Sequence, residues 1–262
     1  MKKLLIALIA LAILGAIVFG VRTLGARDEA DAVGSKEAAE LVDTGDGGEQ
    51  ADIEAGERPE PGTYTYTGSG EESVDALGGS KHTFPDEIAA VVELDAEDDC
   101  RWTSNVIYIK QHVEERRFCT KGTVMTDLGF TRKIEFFNQL QTTGFTCDDD
   151  AERLRADSQE GDTWSWTCSE GIATTSKYTT TFLGKETLTV GGEQIDTFHT
   201  RVVSKQSGDA NGTDTSEFWL ADTGFAVKFT ADLDVRTKSV LGDTHFKERA
   251  SYALTSLVPS QG

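Results

Sequence analysis

The chain has few histidines and few basic residues, and it lacks the short motifs that mark many enzymes. It contains four histidines, and 25 lysines and arginines stand against 45 aspartates and glutamates, a net charge of −20. No histidine lies within four residues of another, and there is neither a G-x-S-x-G elbow nor a G-x-x-x-x-G-K phosphate loop. We therefore expect a protein that is not an enzyme.

The shortage of basic residues also limits the partners of the chain. Residues 63–262 keep a large acidic excess that is spread along the sequence. A basic face for nucleic acid is therefore not expected, and attraction to anionic lipid head groups is disfavoured. The charge favours solubility more than any particular partner.

One long apolar run, Leu4 to Val21, follows Lys2 and Lys3 at the N-terminus. Its length reaches the roughly 18 residues of a membrane span and exceeds the core of a cleaved signal peptide, roughly 7–15 residues. Leu24-Gly25-Ala26 matches an A-x-A cleavage site poorly. We predict a single-pass membrane anchor over residues 1–27, with the C-terminal part extracytoplasmic. A cleaved signal is the alternative.

Residues 28–62 are strongly acidic and poor in large apolar side chains. They hold twelve acids against Lys36 and Arg58, and several glycines and prolines interrupt them. Such a segment buries too little apolar surface to offset its ordering entropy. It predicts a disordered acidic linker over residues 28–62, with a short helix near Lys36–Val42 as the one ordered element considered.

Residues 63–262 alternate apolar and polar side chains with the period of two that is typical of strands. The clearest strand starts at Phe225, and the tight turn Asp222-Thr223-Gly224 joins it to Glu217–Leu220 as a hairpin. A second hairpin combines Leu188–Val190 with Ile195–Val203. Further strands are predicted at Thr63–Thr67, Ile88–Leu94, Trp102–Ile109, Val113–Phe118, Thr123–Leu128, Arg132–Phe137, Trp164–Cys168, Lys177–Phe182 and His245–Leu254.

This pattern predicts a mainly β domain over residues 63–262, built as a curved antiparallel sheet in a half-barrel or barrel-like meander. Asp150–Ala156 is the one segment of the domain expected to be helical, because acids stand at its start. The glycine-rich stretch 67–79 and the glycosylation-type triplet Asn211-Gly212-Thr213 are expected to be loops. The acidic clusters 97–99 and 148–150 are expected to be solvated turns rather than calcium sites.

The four cysteines, Cys100, Cys119, Cys147 and Cys168, allow three pairings. We favour the local pairs Cys100–Cys119 and Cys147–Cys168, which would tie neighbouring strands. The spacing contains no C-x-x-C and does not resemble a zinc site. Paired cysteines agree with export to an oxidising compartment. We expect no metal and no cofactor.

The aromatic side chains lie mainly on the predicted strands, where two interpretations stay open. They form either a packed core or the wall of an apolar cavity able to take an acyl chain. In the second case the apolar ligand face consists of Trp219, Phe225, Val227, Phe229 and Leu233.

Several stretches resemble a family of uncharacterised, membrane-anchored exported proteins from actinobacteria, over most of residues 62–236. They are Gly62–Tyr66, Gly68–Glu71, Val74–Gly79, His82, Pro85, Trp102, Cys119 and the hairpin Phe218–Phe225. That family carries no assigned activity. The hairpin is also similar to those in lipoprotein-carrier sheets of the LolA/LppX type. This second resemblance implies a strongly curved sheet with an apolar concave face, although the chain lacks clear lid helices.

We therefore expect a membrane-anchored extracytoplasmic binding domain for a lipid, another apolar ligand or an envelope protein. Two alternatives from other classes stay open at this point. One is a hydrolase of envelope polymers that uses two carboxylates in one cleft. The other is a structural or sensory ectodomain with a filled core.

Overall fold

The period-two alternation produces long antiparallel strands in the computed structural model, which describes residues 30–42, 58–239 and 242–260. The elements are helix α1 (Ser35–Leu41) and strands β1 (Gly62–Val74), β2 (Ser80–Phe84), β3 (Glu87–Leu94), β4 (Arg101–Ile109), β5 (His112–Lys121), β6 (Val124–Phe136), β7 (Gln139–Cys147), β8 (Glu152–Arg155), β9 (Thr163–Glu170), β10 (Thr174–Val190), β11 (Glu193–Gly208), β12 (Ala210–Leu220), β13 (Ala226–Ser239) and β14 (Gly242–Leu254).

The sheet closes on itself, because β1 pairs with β14, from Tyr66 opposite Leu254 to Val74 opposite Phe246. Twelve strands form the resulting antiparallel barrel, and β2 and β8 extend it outside the ring. Closure is possible because β1 is long: one edge pairs with β14, while the other edge pairs with β3 and then β2. The prediction of a mainly β fold is confirmed, and the barrel is complete rather than half-formed.

Aromatic rings fill one part of the barrel interior. Trp102 of β4 packs on Phe118 of β5 with ring centroids 4.5 Å apart, and Tyr66 of β1 meets Phe229 of β13 at 5.8 Å. Successive side chains of a strand point to opposite faces, so these inward rings alternate with outward polar residues. Burial of large aromatic surfaces is the main source of stability for this part of the core.

Helix α1 covers part of the outer face of β3. Ala38 is fully buried and packs in a small cluster with Val33, Val91 and Ile107. Both faces of β3 are therefore buried, which accounts for its nearly continuous apolar sequence. The predicted short helix is present. Residues 30–42 lie against the barrel and are not part of an unstructured linker, because their few apolar side chains pack in this outer cluster.

The predicted helix at Asp150–Ala156 is wrong, since these residues contain strand β8. Met125 of β6 lies opposite Leu154, whose side chain is 1% exposed, and Arg153 is also buried. Pairing with β6 and burial of Leu154 outweigh the weak helical signal given by the leading acids.

Two segments predicted as loops lie partly or wholly in strands: of the stretch 67–79, residues 67–74 belong to β1, whereas residues 75–79 form a turn with a short 3-10 helix at Ala76–Gly78. β1 continues through Thr67–Gly70 to Val74, and Asn211-Gly212-Thr213 lies in β12. A Cβ at Gly68 would lie 2.0 Å from the carbonyl oxygen of Ser251. Glycine at this position therefore allows β1 and β14 to approach each other closely, and it does not form a turn. The loop prediction is wrong for Gly68, Gly70 and Gly212, and it is confirmed for Gly78 and Gly79.

Both predicted disulfides are present, with Cα atoms 4.7 Å apart for Cys100–Cys119 and 3.9 Å apart for Cys147–Cys168. They are consistent with an extracytoplasmic location. The predicted anchor, Leu4 to Val21, lies outside the described residues. Within the described ranges, no helix has the length and apolar character that a membrane crossing requires.

Candidate functional site

The barrel interior contains a cavity of about 90 Å³ between the β4–β6 wall and the β12–β14 wall. Its lining divides into two chemical halves. The aromatic half includes Tyr66, Trp102, Tyr108, Phe118, Phe225 and Phe229. The ionisable half consists of Glu114, Arg116, Arg132, Arg153, Asp214 and Glu248. The cavity is therefore amphipathic rather than uniformly apolar.

Strand β5 explains how charged groups reach the interior. His112, Glu114, Arg116 and Phe118 occupy alternate positions, so they share the inward face. The outward face is also polar at Glu115 and Arg117, which pair with each other at 2.6 Å. A strand with charge on both faces is compatible with a closed barrel only if the interior itself offers partners to the inward charges.

Glu114 is the centre of the ionisable half. Arg116 Nε donates to one of its carboxylate oxygens at 2.6 Å, and Arg132 Nη2 donates to the other at 2.7 Å. Although burial alone would raise it, these two guanidinium groups hold the pKa of Glu114 well below its usual range. The side chains of Arg116 and Arg132 remain 16% and 19% exposed, and both line the cavity.

A second ion pair supports the first from the side of β8. Arg116 Nη1 and Arg153 Nη1 donate to the same oxygen of Asp127, at 3.0 and 3.3 Å. The Arg153 guanidinium also lies 4.2 Å from the ring centroid of Phe218. Burial and the neighbouring Arg116 lower the pKa of Arg153 to about 10. Arg153 therefore stays charged at neutral pH.

The sequence-predicted ligand face is only partly assembled. Phe225, Phe229 and Leu233 line the cavity, and Val227 is buried in the core without reaching the cavity wall. Trp219 points away, because its neighbours Phe218 and Leu220 take the inward positions of β12. Its ring stacks on His199 at 4.1 Å, and its Nε1 donates to Glu186 at 2.7 Å.

Sequence reasoning missed a buried cluster next to this cavity. We name His82, Glu72, His112 and Glu248 the His–Glu cluster; their exposed fractions run from 0 to 4%. Nδ1 of His82 and Nδ1 of His112 lie 2.7 and 2.8 Å from the two carboxylate oxygens of Glu72. The one sequence feature that indicates this cluster is Glu248, a single acid among the inward apolar residues of β14.

The two acids of the His–Glu cluster, Glu72 and Glu248, have pKa values that their surroundings shift in opposite directions. Burial alone would raise the pKa of Glu72, but His112 and His82 lower it to about 2. Burial raises the pKa of Glu248 to about 7, since its compensating contacts are weaker. Two carboxylates on neighbouring strands thus differ in charge near neutral pH.

Asp214 provides a test of the cavity electrostatics. Burial is the main cause that raises the pKa of Asp214, and the charge of Glu114 raises it further. The hydrogen bond that the Ser216 hydroxyl donates to Asp214 at 2.8 Å and the charges of Arg132 and Arg116 lower this pKa, but they do not cancel the rise. A carboxyl whose pKa is raised on folding contributes stability below its unfolded pKa of about 3.9, and that contribution is lost as pH rises through the folded pKa. Asp214→Asn should therefore be more stable than the parent chain at pH 7 and not at pH 3.

The measurement for Asp214 is the free energy of unfolding by urea at several pH values. The gap between Asp214→Asn and the parent should widen with rising pH. Asp196→Asn, which changes an exposed strand acid that accepts from Thr187 at 2.7 Å, is the matched surface control. A gap for Asp214→Asn that stays constant with pH would contradict the assigned environment.

The interior thus joins an aromatic wall to guanidinium groups that are already held in place. This arrangement suits an apolar molecule that carries one anionic group. Comparison of the chain with protein-family models, with curated proteins and with solved structures gives no match.

Proposed function

We propose that the barrel binds a small amphipathic organic anion, with its apolar part against the aromatic wall and its carboxylate beside Arg116 and Arg132. The observation that carries this proposal is that Arg116 and Arg132 both line the cavity and keep partly exposed side chains, despite their pairing with Glu114. Arginine is the side chain best suited to bind a carboxylate through two hydrogen bonds.

The cavity volume favours a short ligand. A space of about 90 Å³ holds about six water molecules if each needs roughly 15 Å³. A chain of a few carbons would displace this water and gain about 0.8 kcal/mol per buried methylene. A longer acyl chain would fit only if aromatic side chains of the wall moved.

The proposed setting is the outer side of a cell membrane. In this proposal residues 1–27 anchor the chain, and the ligand is lipid-derived. The two disulfides support this placement.

A series of straight-chain carboxylates from butanoate to dodecanoate tests the proposal, with the primary alcohols of equal length as neutral controls. Binding to the full-length chain is measured by calorimetry and by the fluorescence of Trp102 at the cavity wall. We expect Kd to fall about fourfold per methylene until the cavity is full. Each carboxylate should bind at least about tenfold more tightly than its alcohol, because only the carboxylate pairs with arginine.

The matched variants are Arg132→Gln and Arg201→Gln. Arg132→Gln should remove most of the preference for carboxylate over alcohol. Arg201→Gln removes an arginine that pairs with Glu217 on the outer surface, and it should leave the preference unchanged. Absence of saturable binding, or equal affinities for acid and alcohol in the parent chain, would reject the proposed function.

A further inference from the structure

The His–Glu cluster is assembled by strand register and barrel curvature together. Glu72 lies directly opposite His82 in the β1–β2 ladder and directly opposite Glu248 in the β1–β14 ladder. All three side chains therefore stand in a row on the inner face. His112 approaches the row from β5, which lies three strands from β1 around the ring.

Several polar atoms of the His–Glu cluster are buried without a hydrogen-bond partner. Nε2 of His82, Nε2 of His112 and Oε2 of Glu248 have no hydrogen-bond partner among the described residues. Each such buried atom costs free energy unless something binds it. Two carboxylates directly opposite each other also repel when both are ionised. A bound cation would neutralise this repulsion and give Glu248 a partner.

The donor atoms already stand near coordination distance. One ligand atom each from Glu72, His112 and Glu248 lies within 4.8 Å of the others. Around a tetrahedral Zn²⁺ with bonds of 2.0–2.2 Å, ligand atoms lie about 3.4 Å apart. Small rotations of three side chains would close this difference. Imidazole nitrogen with carboxylate oxygen suits zinc and similar ions better than it suits Ca²⁺ or Mg²⁺.

We propose that Glu72, His112 and Glu248 bind one divalent transition-metal ion, with Zn²⁺ the best match, and that His82 orients Glu72. The contact between His82 Nδ1 and Glu72 has the form of the outer hydrogen bonds that position metal ligands elsewhere. A polar pocket that adjoins the site is lined by Glu71, Glu72, Asp232, Asp234 and Glu248, together with Lys247 and Arg249. Because Glu248 also lines the main cavity, the ion would lie at the edge of that cavity.

Calorimetric titration of the chelator-stripped, full-length chain with Zn²⁺ tests this proposal. Excess Mg²⁺ is present to occupy acidic surface patches. We expect one Zn²⁺ per chain and a zinc-dependent rise in Tm. Glu248→Gln should weaken Zn²⁺ binding about 100-fold or more and abolish the rise in Tm. The isosteric change removes a buried carboxylate, so the variant should fold, and near-ultraviolet circular dichroism verifies that it does.

The control is His245→Gln, which alters a histidine–carboxylate pair on the outer surface, where His245 Nε2 lies 2.6 Å from Asp234. Zn²⁺ affinity should be unchanged in this variant. Co²⁺ in place of Zn²⁺ should give visible absorption bands that disappear in His112→Phe. The proposal is overturned if the parent chain does not bind Zn²⁺ saturably, or if Glu248→Gln binds it as the parent does.

Discussion

Replacement of Cys147 and Cys168 together by alanine should destabilise the barrel by at least 1 kcal/mol more than replacement of Cys100 and Cys119. The loop-entropy model gives about 3 kcal/mol for each bridge, because the two sequence separations are 21 and 19 residues. The model therefore predicts equal losses. We expect unequal losses because the two bridges occupy different places in the sheet.

The Cys147–Cys168 bridge lies at the shortest ladder of the closed ring. β7 and β9 meet only at Thr146 opposite Ser169 and at Cys147 opposite Cys168 within the described residues. Cys119, in contrast, belongs to a β4–β5 ladder that runs from Arg101 to Ile109. Without its covalent bond, the β7–β9 seam would depend on few hydrogen bonds, each worth about 1 kcal/mol.

Two measurements test whether the β7–β9 contact depends on its disulfide more than the β4–β5 ladder depends on Cys100–Cys119. Urea unfolding under non-reducing conditions gives the free energies of both double variants, each of which retains the other disulfide. Amide hydrogen exchange should become faster at Thr146 and Ser169 in the Cys147/Cys168 variant and stay slow there in the Cys100/Cys119 variant. Equal free energies together with unchanged exchange at the seam would show that the β7–β9 contact does not need its disulfide.

The strands of this fold were largely predictable because alternation is a local property. In β13, the residues from Val227 to Val235 alternate in sequence as they do in the sheet. Closure was not predictable in the same way. Whether β1 meets β14 depends on strand tilt and stagger accumulated over twelve strands, and no single segment specifies that sum. The local alternation could therefore predict a curved sheet but not the closure of the barrel.

The candidate site was harder to predict than the fold. Glu72, His112 and Glu248 are far apart in sequence, and only the register of β1 with β14 and the curvature of the barrel bring them together. The apolar ligand face was predicted with two residues that do not reach the cavity: Val227 is buried in the core, and Trp219 alternates with the inward residues of β12. Charge on the inward positions of β5 was visible in the sequence, but it becomes informative only once the ring is known to close.

Asp127→Asn should destabilise the chain by about 3–5 kcal/mol, the usual loss when one partner of a buried ion pair is removed. The Asp127 side chain is 2% exposed and accepts from Arg116 and Arg153. It also accepts from the backbone N–H of Gly129 at 3.0 Å. Arg116 keeps Glu114 as a partner in the variant, whereas Arg153 loses the one carboxylate that pairs with it among the described residues. The unpaired Arg153 charge is therefore the main expected cost.

A double variant isolates that cost. Asp127→Asn combined with Arg153→Met should recover much of the lost free energy of unfolding, because methionine fills the space without a charge. Asp232→Asn, which breaks an exposed pair with Arg249, should change stability by less than about 1 kcal/mol. Urea unfolding at pH 7 measures all of these variants. If Asp127→Asn costs no more than Asp232→Asn, the interior ion pairs do not hold the barrel together, and ligand binding beside Arg116 would then have to be explained without a rigid, ion-paired half of the cavity.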